Sequence, residues 1–336
     1  MRSLIEKIIS TPGPSGYEKQ IRDVIRAEVE SFADEVKVDA LGNLIVRKSS
    51  SGSSGRTGRR IMLAGHMDEI GIIVTHVDDN GFVRFSNIGG VYPRYVPGGR
   101  VRFLDGTIGV INTERITDPN KVAGLEQMFI DVGAQDKKAC PIEVGDVAVF
   151  ERPFTDLGDR LVAKAMDDRI AVVVMIETLR QLKSSPHEVY FVFTVQEEVG
   201  VRGATTAAYG IDPDLGLAID VTGTGDTPKG LVMEVALGKG PAIKVKDAGM
   251  IADPRVVDWM VKTAEKAKIP YQLEVLVRGG TDARAIQLTR AGVPAGCLSI
   301  PCRYVHSPSE MVDIHDVENA VSLLIELLSK PVVFAS

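Results

Sequence analysis

The sequence is short of cysteine and of long apolar runs, and each shortage excludes a class of protein. Its 3 cysteines, Cys140, Cys297 and Cys302, are odd in number and too few for a disulfide framework. No window comes near the roughly 20 uninterrupted apolar residues that a transmembrane helix needs. Charges from residue 2 onward leave no apolar core for a signal peptide at the N-terminus. We therefore expect a cytoplasmic protein with reduced cysteines and no membrane partner.

Clusters of basic residues are also missing. The chain has 39 Lys and Arg against 45 Asp and Glu, a net charge of −6, and it contains no basic block. Such a chain lacks the electrostatic footprint of a nucleic-acid-binding protein. A hydrophobic content of 44% in 336 residues is ordinary for a globular protein with one large α/β domain, alone or with a smaller one.

Two kinds of sequence pattern divide the chain. Over residues 1–68 and 162–336, apolar β-rich runs alternate with amphipathic segments of helical spacing, which predicts an α/β sheet. Residues 72–149 hold only short β-like runs between Gly, Pro and Asp turns. We therefore predict a mixed-sheet α/β domain at 1–68 and 162–336, interrupted by a small β-barrel-like domain at 69–161. The Ser- and Gly-rich segment 49–60 is predicted to be an exposed flexible loop.

Histidines and carboxylates follow the predicted strands one after another. The apolar run 191–195 stops at the pair Glu197 and Glu198, and the other such positions are His66 with Asp68, Asp167 with Asp168, Asp220, and His306. Each position alone has an ordinary explanation, such as a helix cap or a solvated charge. In open α/β sheets, however, ligands bind at the carboxyl ends of strands. The recurrence therefore predicts one shared site.

The set of possible ligands suits two divalent cations. Three carboxylates (Asp167, Glu198 and Asp220) and two neutral imidazoles favour zinc, cobalt or manganese over calcium or magnesium. With a bridging hydroxide, the three carboxylates balance two dications, and a shared carboxylate would hold the metals roughly 3.5–4 Å apart. One glutamate of the 197–198 pair would bind metal while the other moves a proton. Because neighbouring strand residues point to opposite faces, the strand must lose its regularity there, for which Gly200 is suited.

Asp68 is predicted to support His66. The two residues are two positions apart, so in a strand they face the same side of the sheet. The Asp68 carboxylate is then placed to accept the N–H of the imidazole nitrogen that does not bind metal, a common support for a metal-bound histidine.

Eight separated motifs occur in one order along the chain, at residues 13–16 (GPSG), 41–44 (LGNL), 64–71 (AGHMDEIG), 164–169 (KAMDDR), 195–200 (VQEEVG), 218–220 (AID), 279–283 (GGTDA) and 303–307 (RYVHS). In this order and over nearly the full length, the chain resembles the M42 family of dinuclear metallo-aminopeptidases, which assemble as hollow tetrahedra. The resemblance implies a zinc-peptidase-like catalytic domain with a PDZ-like insert at 69–161. That insert would help to build dimers and then a homo-oligomer of twelve subunits.

The resemblance also implies a role for each site residue. Five residues would bind metal: Asp167 as the bridge, His66 and Asp220 on one ion, and Glu198 and His306 on the other. Glu197 would be the general acid/base, and Asp68 would support the metal-bound His66 without binding metal itself. A cis peptide bond would join Asp167 to Asp168. The implied reaction removes the N-terminal residue from short peptides, through a hydroxide that bridges two ions of zinc or cobalt.

Three other functions fit parts of the pattern. A two-metal amidohydrolase or deacylase acting on small N-acyl substrates would share the catalytic core. A cellulase would need two carboxylates flanking a sugar rather than five metal ligands. A scaffold protein without catalytic activity would be expected to have lost some of the metal ligands. The native metal, the peptide length limit and the choice between dimer and dodecamer stay open. The preferred N-terminal residue also stays open, because Arg278 and Arg284 would either favour an acidic substrate residue or form structural ion pairs.

Overall fold

The computed structural model describes residues 1–51, 58–115, 118 and 121–334. The centre of the predicted loop at 49–60 lies outside these residues. Seven α-helices form in the described part of the chain: α1 Arg2–Ser10, α2 Lys19–Val29, α3 Met166–Gln181, α4 Arg202–Ile211, α5 Pro254–Ala267, α6 Asp282–Gln287 and α7 Ile314–Leu328. None of these described helices has the length and apolar composition of a membrane span.

The described residues also form seventeen strands: β1 Glu35–Val38, β2 Leu44–Lys48, β3 Arg60–His66, β4 Gly71–Val77, β5 Val83–Ile88, β6 Arg100–Phe103, β7 Ile108–Thr113, β8 Met128–Asp131, β9 Val147–Phe150, β10 Thr155–Asp156, β11 Arg160–Ala163, β12 Glu188–Thr194, β13 Leu215–Thr222, β14 Ala242–Lys246, β15 Gln272–Val275, β16 Ala295–Arg303 and β17 Glu310–Asp313. Eleven of them make one mixed sheet, and β4 to β9 close into a barrel. The predicted fold class, a mixed α/β sheet with a small β-barrel, is confirmed.

Four parallel strands lie side by side in the middle of the mixed sheet, in the order β12, β3, β13, β16. Every residue of β13 is buried. Burial of both faces explains why the sequence of these strands is continuously apolar rather than alternating. Because all four strands run in the same direction, their carboxyl ends meet at one edge of the sheet.

Helices cover both faces of this sheet. Neighbouring residues of β12 point in opposite directions, so Phe191 and Phe193 join the main core with α1, α2, α3 and α7, whereas Val192 packs with α4 and α6. Helix α3 is buried on nearly all sides, which explains why its sequence has little amphipathic pattern. Close-packed helices on both faces of the sheet therefore hold the edge that carries the polar residues in place.

The barrel has a hydrophobic core of its own. Its strands are antiparallel in the order β4, β5, β8, β7, β6, β9, and inward side chains such as Ile72 and Ile130 form a separate buried cluster. The chain enters the barrel at Gly71, soon after β3 ends at His66. The barrel therefore begins next to the polar edge of the large sheet. The limits 69–161 for the insert stay a prediction.

Candidate metal centre

The edge formed by the four parallel strands gathers the residues that the sequence singled out. Four strands contribute, in sheet order, Glu197 and Glu198 after β12, His66 at the end of β3, Asp220 in β13 and His306 after β16. Asp167 and Asp168 come from the first turn of α3, where the backbone is not helical and the peptide bond between them is cis. Residues that are far apart in sequence thus meet in one cluster.

Asp167 lies between the two histidines. Its Oδ1 is 3.0 Å from Nε2 of His66, and its Oδ2 is 3.3 Å from Nε2 of His306. The same His306 nitrogen is 3.3 Å from Oε1 of Glu198. Each oxygen of one carboxylate therefore faces a different imidazole, which is the arrangement expected of a ligand shared by two ions.

The described residues contain two groups whose ligand atoms all lie within 4.8 Å of one another, namely His66 with Asp167 and Glu198, and His66 with Asp168 and Asp220. Oδ1 of Asp168 is buried without a hydrogen-bond partner, and Oε1 of Glu198 is buried with only the ring of His306 beside it, at 3.3 Å. A buried carboxylate oxygen is costly unless it is paired, hydrogen-bonded or bound to a metal. The residues present therefore fit divalent cations, and Asp168 is a possible ligand that the sequence-based assignment did not include.

The electrostatics of the cluster also favour added positive charge. Burial raises the pKa of Asp168, Glu197, Glu198 and Asp220, and repulsion from neighbouring carboxylates raises it further. For Asp167, burial acts in the same direction, but hydrogen bonds from the two imidazoles hold its pKa well below the usual range. Carboxylates whose charges repel each other in a buried site stay ionised when cations bind between them.

The predicted contact between Asp68 and His66 is weaker than expected. Nδ1 of His66 lies 3.1 Å from the backbone oxygen of Asp68 and 3.4 Å from its carboxylate Oδ1. Strand β3 ends at His66, so the alternation that placed both side chains on one face no longer holds at Asp68. The carboxylate instead accepts the backbone N–H groups of Glu197 and Glu198, at 3.0 Å and 3.2 Å.

The glutamate pair sits where regular strand geometry has already ended. Strand β12 stops at Thr194, and Gln196 has a left-handed backbone with φ of 55°. The loss of regularity therefore comes before the pair, at Gln196, as well as at Gly200. As a result Glu198 contacts His306, and Oε2 of Glu197 lies 3.9 Å from Nε2 of His66.

Glu310 is a site residue that the sequence analysis missed. It is buried, and its two carboxylate oxygens accept the backbone N–H groups of Asp167, at 3.0 Å, and of His306, at 2.7 Å. Burial, with repulsion from Asp167, raises the pKa of Glu310 to about 8. Its sequence position alone does not predict this role, because both partners are backbone groups and Asp167 is brought to Glu310 only by the fold.

The barrel also contributes a wall to the cluster. Its loop after β5 brings Gly89 against Glu198, where an added Cβ would lie 3.0 Å from the Glu198 Cβ, and Gly90 against the ring of His306. The ring of Tyr92 lies 5.9 Å from that of His306, and Tyr92 is 48% exposed. The two glycines allow the barrel backbone to approach two of the proposed metal ligands closely.

Replacing Gly90 with alanine is expected to lower kcat/KM by about 10–100-fold, because a displacement on the order of 1 Å near reacting groups has effects of that size. The new methyl group would overlap Nδ1 and Cε1 of His306, so the imidazole must move. Gly210→Ala, in α4 with open space around it, is the matched control. Steady-state kinetics on both variants checks this, and wild-type kcat/KM in the Gly90 variant would contradict the close contact.

The fold is a mixed α/β sheet with an inserted barrel, and the carboxylate–histidine cluster at the ends of its parallel strands is a candidate metal-binding group of an enzyme. A family model described as M42 glutamyl aminopeptidase matches residues 42–323. The chain belongs to this family of aminopeptidases, and it is an enzyme.

Relatives of known name and structure cover nearly the whole chain. The lysyl aminopeptidase of Pyrococcus furiosus is 38% identical over 97% of this chain and 96% of its own. The structure of an aminopeptidase from Desulfurococcus kamchatkensis has a TM-score of 0.92 and 43% identity, covering 98% of this chain and 94% of its own. The Pyrococcus horikoshii TET1 peptidase, which can assemble into a tetrahedron or a large octahedral shell, has a TM-score of 0.86 and 34% identity over 98% of this chain and 99% of its own.

Proposed function

We propose that the protein is a two-metal aminopeptidase that removes the N-terminal residue from short peptides. The observation that supports it most directly is the placement of Asp167, whose two oxygens face the Nε2 atoms of His66 and His306. A cluster built for a single ion would not need one carboxylate between two imidazoles. The buried Oδ1 of Asp168, which has no hydrogen-bond partner, supports the same proposal.

The proposed ligands divide between two ions of zinc or cobalt. Asp167 would bind both, His66 and Asp220 would bind one, and Glu198 and His306 would bind the other. When bound, such ions polarise a carbonyl oxygen and lower the pKa of a water molecule. Glu310 holds the backbone at both Asp167 and His306, so it keeps these ligands oriented towards each other.

Glu197 is proposed to move the proton. Its side chain is only 13% exposed and lies beside the proposed ligands without being placed among them. As general base its carboxylate accepts a proton from the attacking water, and as general acid it returns that proton to the departing amine. Burial raises the pKa of Glu197, the direction that suits a group which accepts a proton.

A panel of aminoacyl nitroanilides with free or acetylated α-amino groups tests the reaction. We expect cleavage of the free amines at least about 100-fold faster, because a site built to bind one polar group rejects analogues that lack it. Acidic, basic and aliphatic residues belong in the panel, since the family model and the Pyrococcus furiosus relative carry different substrate names. Release of acetate from the acetylated compounds, with no release of nitroaniline from the free amines, would favour the amidohydrolase or deacylase instead.

The protein is also proposed to act as a homo-oligomer, in which dimers assemble into a tetrahedral dodecamer. The tetrahedral or octahedral assembly of the Pyrococcus horikoshii relative supports this. So do Ile108 and Val110, which are 43% and 45% exposed on the outer face of β7 in the barrel. Mass measurement by light scattering tests the proposal, and a monomer at all concentrations would contradict it.

A further inference from the structure

Four consecutive backbone N–H groups of the loop that carries Glu197 are bound by side-chain oxygens. Val195 N donates to Oδ1 of Asn43 at 3.0 Å, and Gln196 N donates to Oε1 of Glu18 at 3.1 Å. Glu197 N and Glu198 N donate to the two oxygens of Asp68. The four N–H groups thus bind three side chains from three other segments of the chain.

These N–H groups need such partners because the strand has ended. Strand β12 stops at Thr194, so its ladder of hydrogen bonds does not extend to Val195 and beyond. A buried N–H without an acceptor is costly. Asn43 and Asp68 are fully buried and Glu18 is only 4% exposed, so water does not readily replace them.

The acceptors are themselves held in place. The same Glu18 oxygen accepts the N–H of Gly16 at 2.7 Å. The Asn43 side-chain amide donates to Asp39 at 2.6 Å and to the backbone oxygen of Gly203 at 3.0 Å, just after the glutamate loop. When the hydrogen bonds of a side chain fix its position, the group that it binds is also held in place.

We propose that Glu18 and Asn43 are positioning residues that hold the backbone of the glutamate loop, and through it the carboxylate of Glu197, in the orientation needed for proton transfer. This inference rests on the proposed role of Glu197. Asp68 completes the set from the end of β3. The N-terminal segment 13–18 is therefore a functional part of the active site, although it contributes no group to the reaction itself.

Three variants of Glu18 test the proposal. Glu18→Gln keeps an oxygen at the same reach, Glu18→Asp keeps the charge but shortens the side chain by one methylene, and Glu18→Ala removes the acceptor. We expect Glu18→Ala to lower kcat by about 10–100-fold with KM changed by less than threefold, because orientation rather than substrate binding is lost. Glu18→Gln should stay within about threefold of the wild type, and Glu18→Asp should fall in between. Glu6→Ala, at an exposed position of α1, is the matched control.

The order of the variants separates position from charge. If Glu18 acts by placing an acceptor, Glu18→Gln is more active than Glu18→Asp, and this comparison remains valid even if Glu18→Ala does not fold. A more active Glu18→Asp would mean that charge matters and would overturn the proposal. So would wild-type kcat in Glu18→Ala, or a rise in KM that accounts for the whole loss.

Glu197→Gln, measured in parallel with the wild-type protein, separates this inference from the proposed function. If Glu197→Gln is inactive and Glu18→Ala has the wild-type kcat, only the positioning proposal fails. If Glu197→Gln is itself fully active, the role of Glu197 fails, and the positioning proposal fails with it. Metal content in all Glu18 variants should equal that of the wild type, and loss of metal in Glu18→Ala would overturn the proposal.

Discussion

Replacing Glu197 with glutamine is expected to lower kcat by about 10²–10⁴-fold, the usual contribution of a positioned general acid/base. The amide has nearly the shape of the carboxylate but cannot accept the proton of the attacking water. The backbone N–H of Glu197 would still bind Asp68, so the loop should keep its position. KM should change little, because the proposed ligands and the barrel wall are untouched.

Pre-steady-state and steady-state kinetics of Glu197→Gln, with metal analysis on the same samples, check this prediction. Glu6→Gln, on the exposed face of α1, is the control for the substitution itself. Full metal content with strongly reduced kcat would support the role of Glu197. A variant that loses metal would instead make Glu197 a ligand, and a variant with wild-type kcat would require another proton carrier.

Replacing Asp167 with alanine is expected to remove at least one metal ion and nearly all activity. Both imidazoles would lose the carboxylate between them. Substitution of residues that only support metal ligands costs about 10–100-fold in metal affinity, so loss of a shared ligand should exceed about 100-fold. Activity should fall together with metal affinity, because each of the two ions would lose its shared ligand.

Metal content per chain, measured by mass spectrometry after dialysis, checks the Asp167 variant. Asp79→Ala, an exposed aspartate of the barrel, is the control. Thermal unfolding of both variants shows whether the fold survives. An Asp167→Ala protein that keeps two tightly bound ions would show that another residue is the bridge, and Asp168 would then be the first alternative because it groups with His66 and Asp220.

The strand-end residues could be predicted because parallel strands have a simple sequence pattern. A continuous apolar run that stops at His66 or Glu197 places those residues at the carboxyl edge whatever the order of the strands. The change to short runs and turns after residue 71 likewise indicated the barrel. Its strand order could not be predicted, since β4 pairs with β9, which lies far along the chain.

The supporting contacts could not be predicted, for a physical reason. Glu18, Asn43 and Glu310 bind backbone N–H groups, and a backbone group has no signature in the sequence. Most of these partners lie more than a hundred positions away, so local spacing carries no information about them, although the N–H of His306 is close in sequence to its acceptor Glu310. Asp68 shows the same limit, because its expected geometry assumed a strand that ends two residues earlier.

The central claim is a site for two metal ions, and a metal titration of the stripped protein tests it most directly. The protein is freed of metal with a chelator, zinc or cobalt is added in fractions of an equivalent, and bound metal and peptidase activity are measured at each step. Two ions should bind per chain, with most of the activity appearing only as the second one binds. Full activity at one ion per chain, or activity that survives complete removal of metal, would contradict the account.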